Sequence, residues 1–205
     1  ELIPQFDYVK DISEQFGFVN IGVANYEADD VIGTLAKIYS KDNEVHIVTG
    51  DRDILQCINE QVEVWLIRKG FNIYHHYTLN RFNEEYALHP LQLIDIKAFM
   101  GDSADGYPGV KGIGEKTAIK LIQSYGSVEN VLDHIESLTP GQQKKIATDK
   151  ENLILSKQLA EIYTDVPIDT TALYKEMEYT HSLNHILSIC NEHELYVSGK
   201  YLASK

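Results

Sequence analysis

Tyr26-Glu27-Ala28-Asp29-Asp30 gathers three carboxylates into five residues at the point where one pattern gives way to another. Before it, Val19-Asn20-Ile21-Gly22-Val23 has the composition of a strand. After it, Val31, Ile32, Leu35, Ala36 and Ile38 fall at helical spacing. The spacing therefore predicts a strand, an acidic corner and a helix running to about Ser40. In an open α/β sheet, sites form beyond the carboxyl ends of the strands, so carboxylates at such a corner suggest chemistry. A purely structural role is also open, because Asp and Glu in a first helical turn complement free N–H groups and the helix dipole.

A second corner repeats the design, and the two corners are expected at the carboxyl ends of neighbouring parallel strands. Glu44-Val45-His46-Ile47-Val48-Thr49 reads as a strand and runs into Gly50-Asp51-Arg52-Asp53-Ile54-Leu55. A third acidic group, Asp102 and Asp105, lies in Met100-Gly101-Asp102-Ser103-Ala104-Asp105-Gly106 after a helical stretch. If the three converge, Glu27, Asp29, Asp30, Asp51, Asp53, Asp102 and Asp105 share one cleft. Two carboxylates 4 Å apart repel by about 4 kcal/mol at an effective dielectric near 20, so such a cluster needs cations. An all-oxygen donor set suits Mg²⁺ or Mn²⁺, and no Cys or His beside these acids argues for zinc.

The chain of 205 residues is 43% hydrophobic, enough for one sizeable core or a core with a smaller lobe. Its formal net charge of −13 is the reverse of the usual basic footprint of a nucleic-acid binder. The clustered acids account for part of that excess, and bound divalent cations reverse the sign locally. Only Cys57 and Cys190 are present, which excludes a disulfide framework and points to a reducing compartment, read as the cytoplasm. No apolar run is long enough for a membrane span.

The first residues place Ile3, Phe6, Val9, Ile12 and Phe16 at helical spacing up to Gly17. Val62-Glu63-Val64-Trp65-Leu66-Ile67 offers a further strand and Asn72-Ile73-Tyr74-His75-His76-Tyr77 an edge strand. Adjacent residues on a strand face opposite ways, which argues against one ion held by both His75 and His76. From Thr78 onward, helices are expected at 79–88, 91–100, 116–125, 128–138, 142–148, 151–163 and 183–194.

Gly109-Val110-Lys111-Gly112-Ile113-Gly114-Glu115-Lys116-Thr117-Ala118 opens directly into one of these helices. Glycines let a backbone approach a ligand closely, and a helix N-terminus offers N–H groups to phosphate. Lys116 and Lys120 share a helical face and Lys111 sits in the hairpin, so Lys111, Gly112, Ile113, Gly114, Lys116, Thr117 and Lys120 form a candidate nucleic-acid contact. No base-reading side chain interleaves, which implies phosphate and shape recognition. A glycine-capped turn with solvated lysines is the structural alternative.

Taken in order, Tyr26-Glu27-Ala28-Asp29-Asp30, Thr49-Gly50-Asp51-Arg52-Asp53 and the run from Gly101 to Gly114 resemble the bacterial 5′-3′ exonuclease and flap endonuclease family, which includes the amino-terminal nuclease domain of DNA polymerase I. The resemblance covers about Glu1 to Asp169. It implies an α/β fold with a parallel-sheet, PIN-like (resolvase-like) nuclease core over 1–100. A helical lobe over 101–205 would follow, carrying a helix-hairpin-helix or helix-three-turn-helix element. It also implies a structure-specific nuclease that hydrolyses DNA phosphodiesters with two cations, Mg²⁺ or Mn²⁺, held by acids matching Glu27, Asp29, Asp30, Asp51, Asp53, Asp102 and Asp105. The hairpin would grip duplex DNA and hold K⁺ through the backbone carbonyls of Val110 and Ile113. The partners implied are branched or 5′-flap double-stranded DNA and RNA-DNA primer junctions, in replication and repair, with the protein a monomer.

Two departures accompany the resemblance. Members usually begin with a strand bearing a further metal-binding Asp, followed by a basic arch, and the chain begins where the segment after the arch would lie. It is therefore expected to bind metal poorly and to cleave weakly or not at all by itself. Ala104-Asp105-Gly106-Tyr107 also varies from the commoner Ser-Asp-Asn-Ile while keeping both acids. A non-catalytic binder of branched DNA is the alternative reading, and a metal phosphatase or ribonuclease would leave the glycine hairpin without a task.

Overall fold

The computed structural model describes residues 3–68 and 73–204, so Asn72 of the expected edge strand lies outside the described residues. Two compact units emerge, one of residues 27–166 and one of residues 1–26 with 167–205.

In the larger unit, helix α2 (Ala28–Tyr39) precedes strand β1 (Val45–Thr49), and a 3₁₀ turn over Asp53–Cys57 leads to β2 (Val62–Ile67) and β3 (Tyr74–Tyr77). The order is β1-β2-β3, with β1 and β2 parallel and β2 and β3 antiparallel. The period of two is visible in burial. Ile47, Val62, Val64, Leu66 and Tyr77 face the core, while His46, Glu63, Trp65 and His76 take the opposite face. Helices α3 (Leu79–Tyr86), α4 (Gln92–Met100), α5 (Glu115–Tyr125), α6 (Val128–Asp133), α7 (Pro140–Thr148) and α8 (Lys150–Ala160) follow. Phe82 and Phe99 are fully buried with Ile54, Leu55, Ile122, Ile146 and Leu153 in one cluster that runs from β1 to α8. α4 is apolar around most of its circumference because it packs on both α5 and α8.

The smaller unit holds α1 (Ile3–Gln15), α9 (Thr170–Glu176), α10 (Leu183–Glu192) and α11 (Tyr196–Ala203). Gly17, at φ +87°, stops α1 as its sequence position suggested.

The strand expected over 19–23 is not formed. Val19, Ile21 and Val23 are half-buried while Asn20 and Gly22 are exposed, which is the alternation of a strand. Among the described residues, however, no neighbouring strand supplies a hydrogen-bond ladder, and composition alone cannot make one. The first acidic corner is thus the start of a helix without a preceding strand, and only the second follows one. The expectation that both corners lie at the ends of neighbouring parallel strands is corrected accordingly: β1's parallel neighbour is β2.

Candidate functional site

Glu27, Asp29, Asp30, Asp51, Asp53, Asp105 and Glu161 line a single cavity of about 390 Å³, together with Tyr107, Leu159, Ala160 and Ile162. Four separate stretches of chain contribute, the fourth being Leu159 to Ile162 with Glu161, an acid that the sequence reading did not single out. The start of α2 brings the first three acids, and the turn after β1 brings Asp51 and Asp53. That turn is held by its own side chains: the Asp51 N–H donates to Thr49 Oγ1 at 3.0 Å and the Asp53 N–H to Asp51 Oδ1 at 2.8 Å. Ile54 and Leu55 then sink into the core. Buried Gln56 pins the opposite wall, donating to the Ala160 carbonyl and accepting from the Ile162 N–H, both at 3.0 Å.

Asp105 arrives on a loop closed at its base by reciprocal hydrogen bonds between Asp102 and Tyr107, at 2.9 and 3.0 Å. Asp102 stands at the margin. Its Oδ1 accepts from the Ala104 N–H at 2.8 Å, and carboxylate oxygens of Asp53, Asp102 and Asp105 lie within 4.8 Å of one another.

Asp30 is occupied by the fold as well as by the site. Its Oδ2 accepts from the Glu27 N–H at 3.2 Å and its Oδ1 from the Tyr163 N–H at 2.9 Å, so helix capping and cavity lining coexist in one side chain.

The principal residue that the sequence did not reveal is Lys97, in the last turn of α4. Its ammonium bridges Asp53 and Asp102, the latter at 2.8 Å. Burial works against that charge, but hydrogen bonds to Asp102 and Asp53 outweigh burial and raise the Lys97 pKa. The same contact lowers the pKa of Asp102. Asp53 is raised by burial, with Lys97 opposing and Asp51 and Asp102 adding to the rise. Asp29 has no such counter-ion: burial first, then Asp51, Asp53, Glu27 and Asp30, push its carboxyl up to about 6. A lysine in the final turn of a helix reads from sequence as a complement to the dipole, which is why Lys97 gave no signal.

This donor set fits divalent cations. All candidate donors are carboxylate oxygens, their mutual repulsion is already expressed at Asp29, and the Tyr107 hydroxyl beside them is buried without a hydrogen-bond partner.

Elsewhere in the larger unit, the glycine hairpin presents Lys111, Gly112, Gly114, Lys116 and Lys120 to solvent, with Thr117 half-buried. Ile113 is 3% exposed, so it offers only its backbone. Gly114 is the N-cap of α5, and Gly112 adopts φ +81°. Two contacts brace the hairpin: the Lys111 N–H donates to Asp149 Oδ2 and Lys145 Nζ to the Gly112 carbonyl, both at 2.9 Å.

Comparison with known proteins agrees with this architecture. The 5′-3′ exonuclease N-terminal resolvase-like domain matches residues 1–87, and the 5′-3′ exonuclease C-terminal SAM fold matches residues 88–182. A 5′-3′ exonuclease of Bacillus subtilis is 46% identical over 95% of the chain and 65% of its own length. DNA polymerase I of Lactococcus lactis is 42% identical over 82% of the chain and 20% of its own length. The chain thus spans less than two thirds of these relatives. Among solved structures, T5 5′-exonuclease with bound zinc has a TM-score of 0.66 at 21% identity, over 91% of this chain and 66% of that one. A T5 flap endonuclease complexed with DNA and metal ions has the same TM-score at 22% identity, over 91% and 68%. These two likenesses concern the fold. Because two adjoining parts of one family's architecture account for residues 1–182 in unbroken succession, the chain belongs to the 5′-3′ exonuclease family.

Proposed function

We propose that the chain carries the hydrolytic centre of a structure-specific 5′-3′ exonuclease and flap endonuclease. Its substrates would be branched or 5′-flap double-stranded DNA and RNA-DNA primer junctions, met in the cytoplasm during replication and repair by a monomeric protein. The observation that carries this reading is the cavity in which seven acidic side chains from four chain segments converge. Mg²⁺ or Mn²⁺ bound at two positions among Glu27, Asp29, Asp30, Asp51, Asp53, Asp102 and Asp105 would supply electrostatic stabilisation of the charge that builds up during in-line phosphodiester hydrolysis.

The protein's own groups do the rest. Lys97 fixes Asp53 and Asp102 relative to each other. Gln56 holds the wall opposite the second corner. The Gly112 and Gly114 amides, with Lys111, Lys116, Thr117 and Lys120, would hold phosphates, while the Ile113 N–H already donates to the Val110 carbonyl at 3.0 Å and so braces the hairpin; the Val110 and Ile113 carbonyls are the proposed K⁺ ligands. No side chain is needed as a covalent nucleophile.

Incubation of the protein with a 5′-flap duplex and Mg²⁺ or Mn²⁺ tests this. Cleavage that disappears in Asp51→Ala while DNA affinity persists supports the enzyme. Tight binding with no cleavage under either cation identifies a non-catalytic binder instead.

Two further outcomes are expected. Replacing Lys116 and Lys120 by Ala reduces the slope of log affinity against log salt by about one unit per lost phosphate contact, whereas an unaltered slope places the DNA elsewhere. Cation affinity also depends on pH. A carboxyl raised to about 6 is protonated below that value, so divalent affinity climbs as pH rises through it, with proton release on binding. For folding without cations the sign is opposite: the native state binds the extra proton between the ordinary value of 3.8 and about 6, so stability falls across that window as pH rises. Calorimetry in two buffers of different ionisation enthalpy reads the released proton, and identical heats would remove Asp29 from the cation site.

A further inference from the structure

We propose that His46, Glu63 and His76 form a separate site for a borderline transition cation, Zn²⁺ being the representative, on the outer face of the sheet. None of the three lines the acidic cavity. Strand register brings them together: His46 in β1 is the pairing partner of Glu63 in β2, and His76 in β3 pairs with Trp65, two residues along the same face from Glu63. Each strand therefore contributes one donor. His75 faces the other way, so the site uses one member of the His75-His76 pair and reaches across the sheet for the others.

One carboxylate oxygen, Glu63 Oε2, stands 2.5 Å from His76 Nε2 and 3.4 Å from His46 Nδ1. A ligand atom from each residue lies within 4.8 Å of the other two. Bonds of 2.0–2.1 Å in tetrahedral geometry put ligand atoms roughly 3.3 Å apart, so closure requires only a rotation of the imidazoles. Two imidazole nitrogens and one carboxylate oxygen suit Zn²⁺, Ni²⁺ or Cu²⁺ and are a poor match for Mg²⁺, which prefers oxygen throughout.

Trp65 limits the freedom of the donors. Its ring centroid is 5.5 Å from that of His46 and 5.0 Å from that of His76, a wall against which both imidazoles rest. The three side chains remain 46%, 30% and 47% exposed, which gives an ion an entry path and leaves a coordination position for water. A bound ion would tie the edge strand β3 to β1 through β2, a cross-sheet clasp that stabilises the native state because the unfolded chain lacks the register.

Excess Mg²⁺ is used to occupy the oxygen-rich cavity, and Zn²⁺ is titrated into the full chain by calorimetry. Cu²⁺ serves as the second probe, since it quenches indole fluorescence at short range and Trp65 is the sole tryptophan. One Zn²⁺ per chain, quenching by Cu²⁺, and a melting temperature raised by Zn²⁺ are expected. The pair His46→Gln with His76→Gln weakens binding by about tenfold or more, since loss of an outer-sphere partner alone costs 10- to 100-fold. His75→Ala keeps both signals. Glu63→Gln, which preserves size and hydrogen bonding, is the second variant should the double substitution fold poorly, and it too is expected to lose affinity. The proposal is overturned if the wild type shows neither heat nor quenching, which would leave the trio as a hydrogen-bonded cluster. It is equally overturned if the variants bind Zn²⁺ within about tenfold of wild type.

Discussion

Asp53→Asn is expected to lower flap cleavage by about 10³-fold, taking the weak cleavage expected of the chain below detection, while leaving DNA affinity nearly unchanged, because it removes one charge from the proposed cation-binding set and nothing from the hairpin. Asp53 meets both Lys97 and the carboxylates of Asp102 and Asp105, so the substitution disturbs two relationships at once. The Asn side chain retains an oxygen acceptor for the Lys97 ammonium but carries no charge, and Asp102 still holds Lys97 at 2.8 Å. Folding should therefore survive, with little change in melting temperature. Comparison of cleavage rate, DNA affinity and thermal midpoint in one set of samples separates the effects. A variant that cuts within a few-fold of wild type would show that Asp53 serves Lys97 and the fold rather than the cations.

The largest effect on stability is expected from Gly109→Ala. Gly109 has φ +59°, and a Cβ there would fall 2.3 Å from the Gly101 nitrogen and 2.7 Å from the Met100 carbonyl carbon, both backbone atoms that cannot swing aside. A left-handed alanine costs about 1 kcal/mol and forced overpacking about 1–3 kcal/mol. A total of about 2–4 kcal/mol lowers the midpoint of a chain this size by roughly 5–15 °C. Gly106→Ala is the internal comparison, with φ +79° and no atom within 4 Å of its Cβ, so strain acts there without a clash. The crossing of Gly101 and Gly109 forms the base of the loop that delivers Asp102 and Asp105, so Gly109→Ala also displaces two acids. Equal midpoints for the two alanine variants would refute the steric argument.

Much of the fold was legible because local and global patterns coincide. The alternation in Val62 to Ile67 matches the burial of β2 residue by residue, and the apolar spacing after the second acidic corner matches the 3₁₀ turn that buries Ile54 and Leu55. The acids of the cavity were legible for a chemical reason: carboxylates repel, so their gathering at chain corners needs a cause. Val19 to Val23 misled because an extended, alternating segment becomes a strand only when another strand lies alongside. α9 and α11 were missed since Thr170–Glu176 is short and Tyr196–Ala203 carries Gly199, leaving weak periodicity in each. The pairing of Lys97 with Asp53, and the meeting of His46 with Glu63 and His76, depend on contacts distant in sequence, which no local pattern encodes.

The tethered ammonium of Lys97 has a practical corollary for handling the protein. A carboxylate nest whose only neutralising charge came from solvent would loosen whenever a chelator stripped its ions, and purification in EDTA would yield aggregates. Here one cation is built into the chain and cannot be dialysed away. Removing divalent ions thus becomes a reversible change of occupancy at the Asp29 side of the nest, and metal-free stocks should keep their helical circular dichroism and accept fresh ions without refolding.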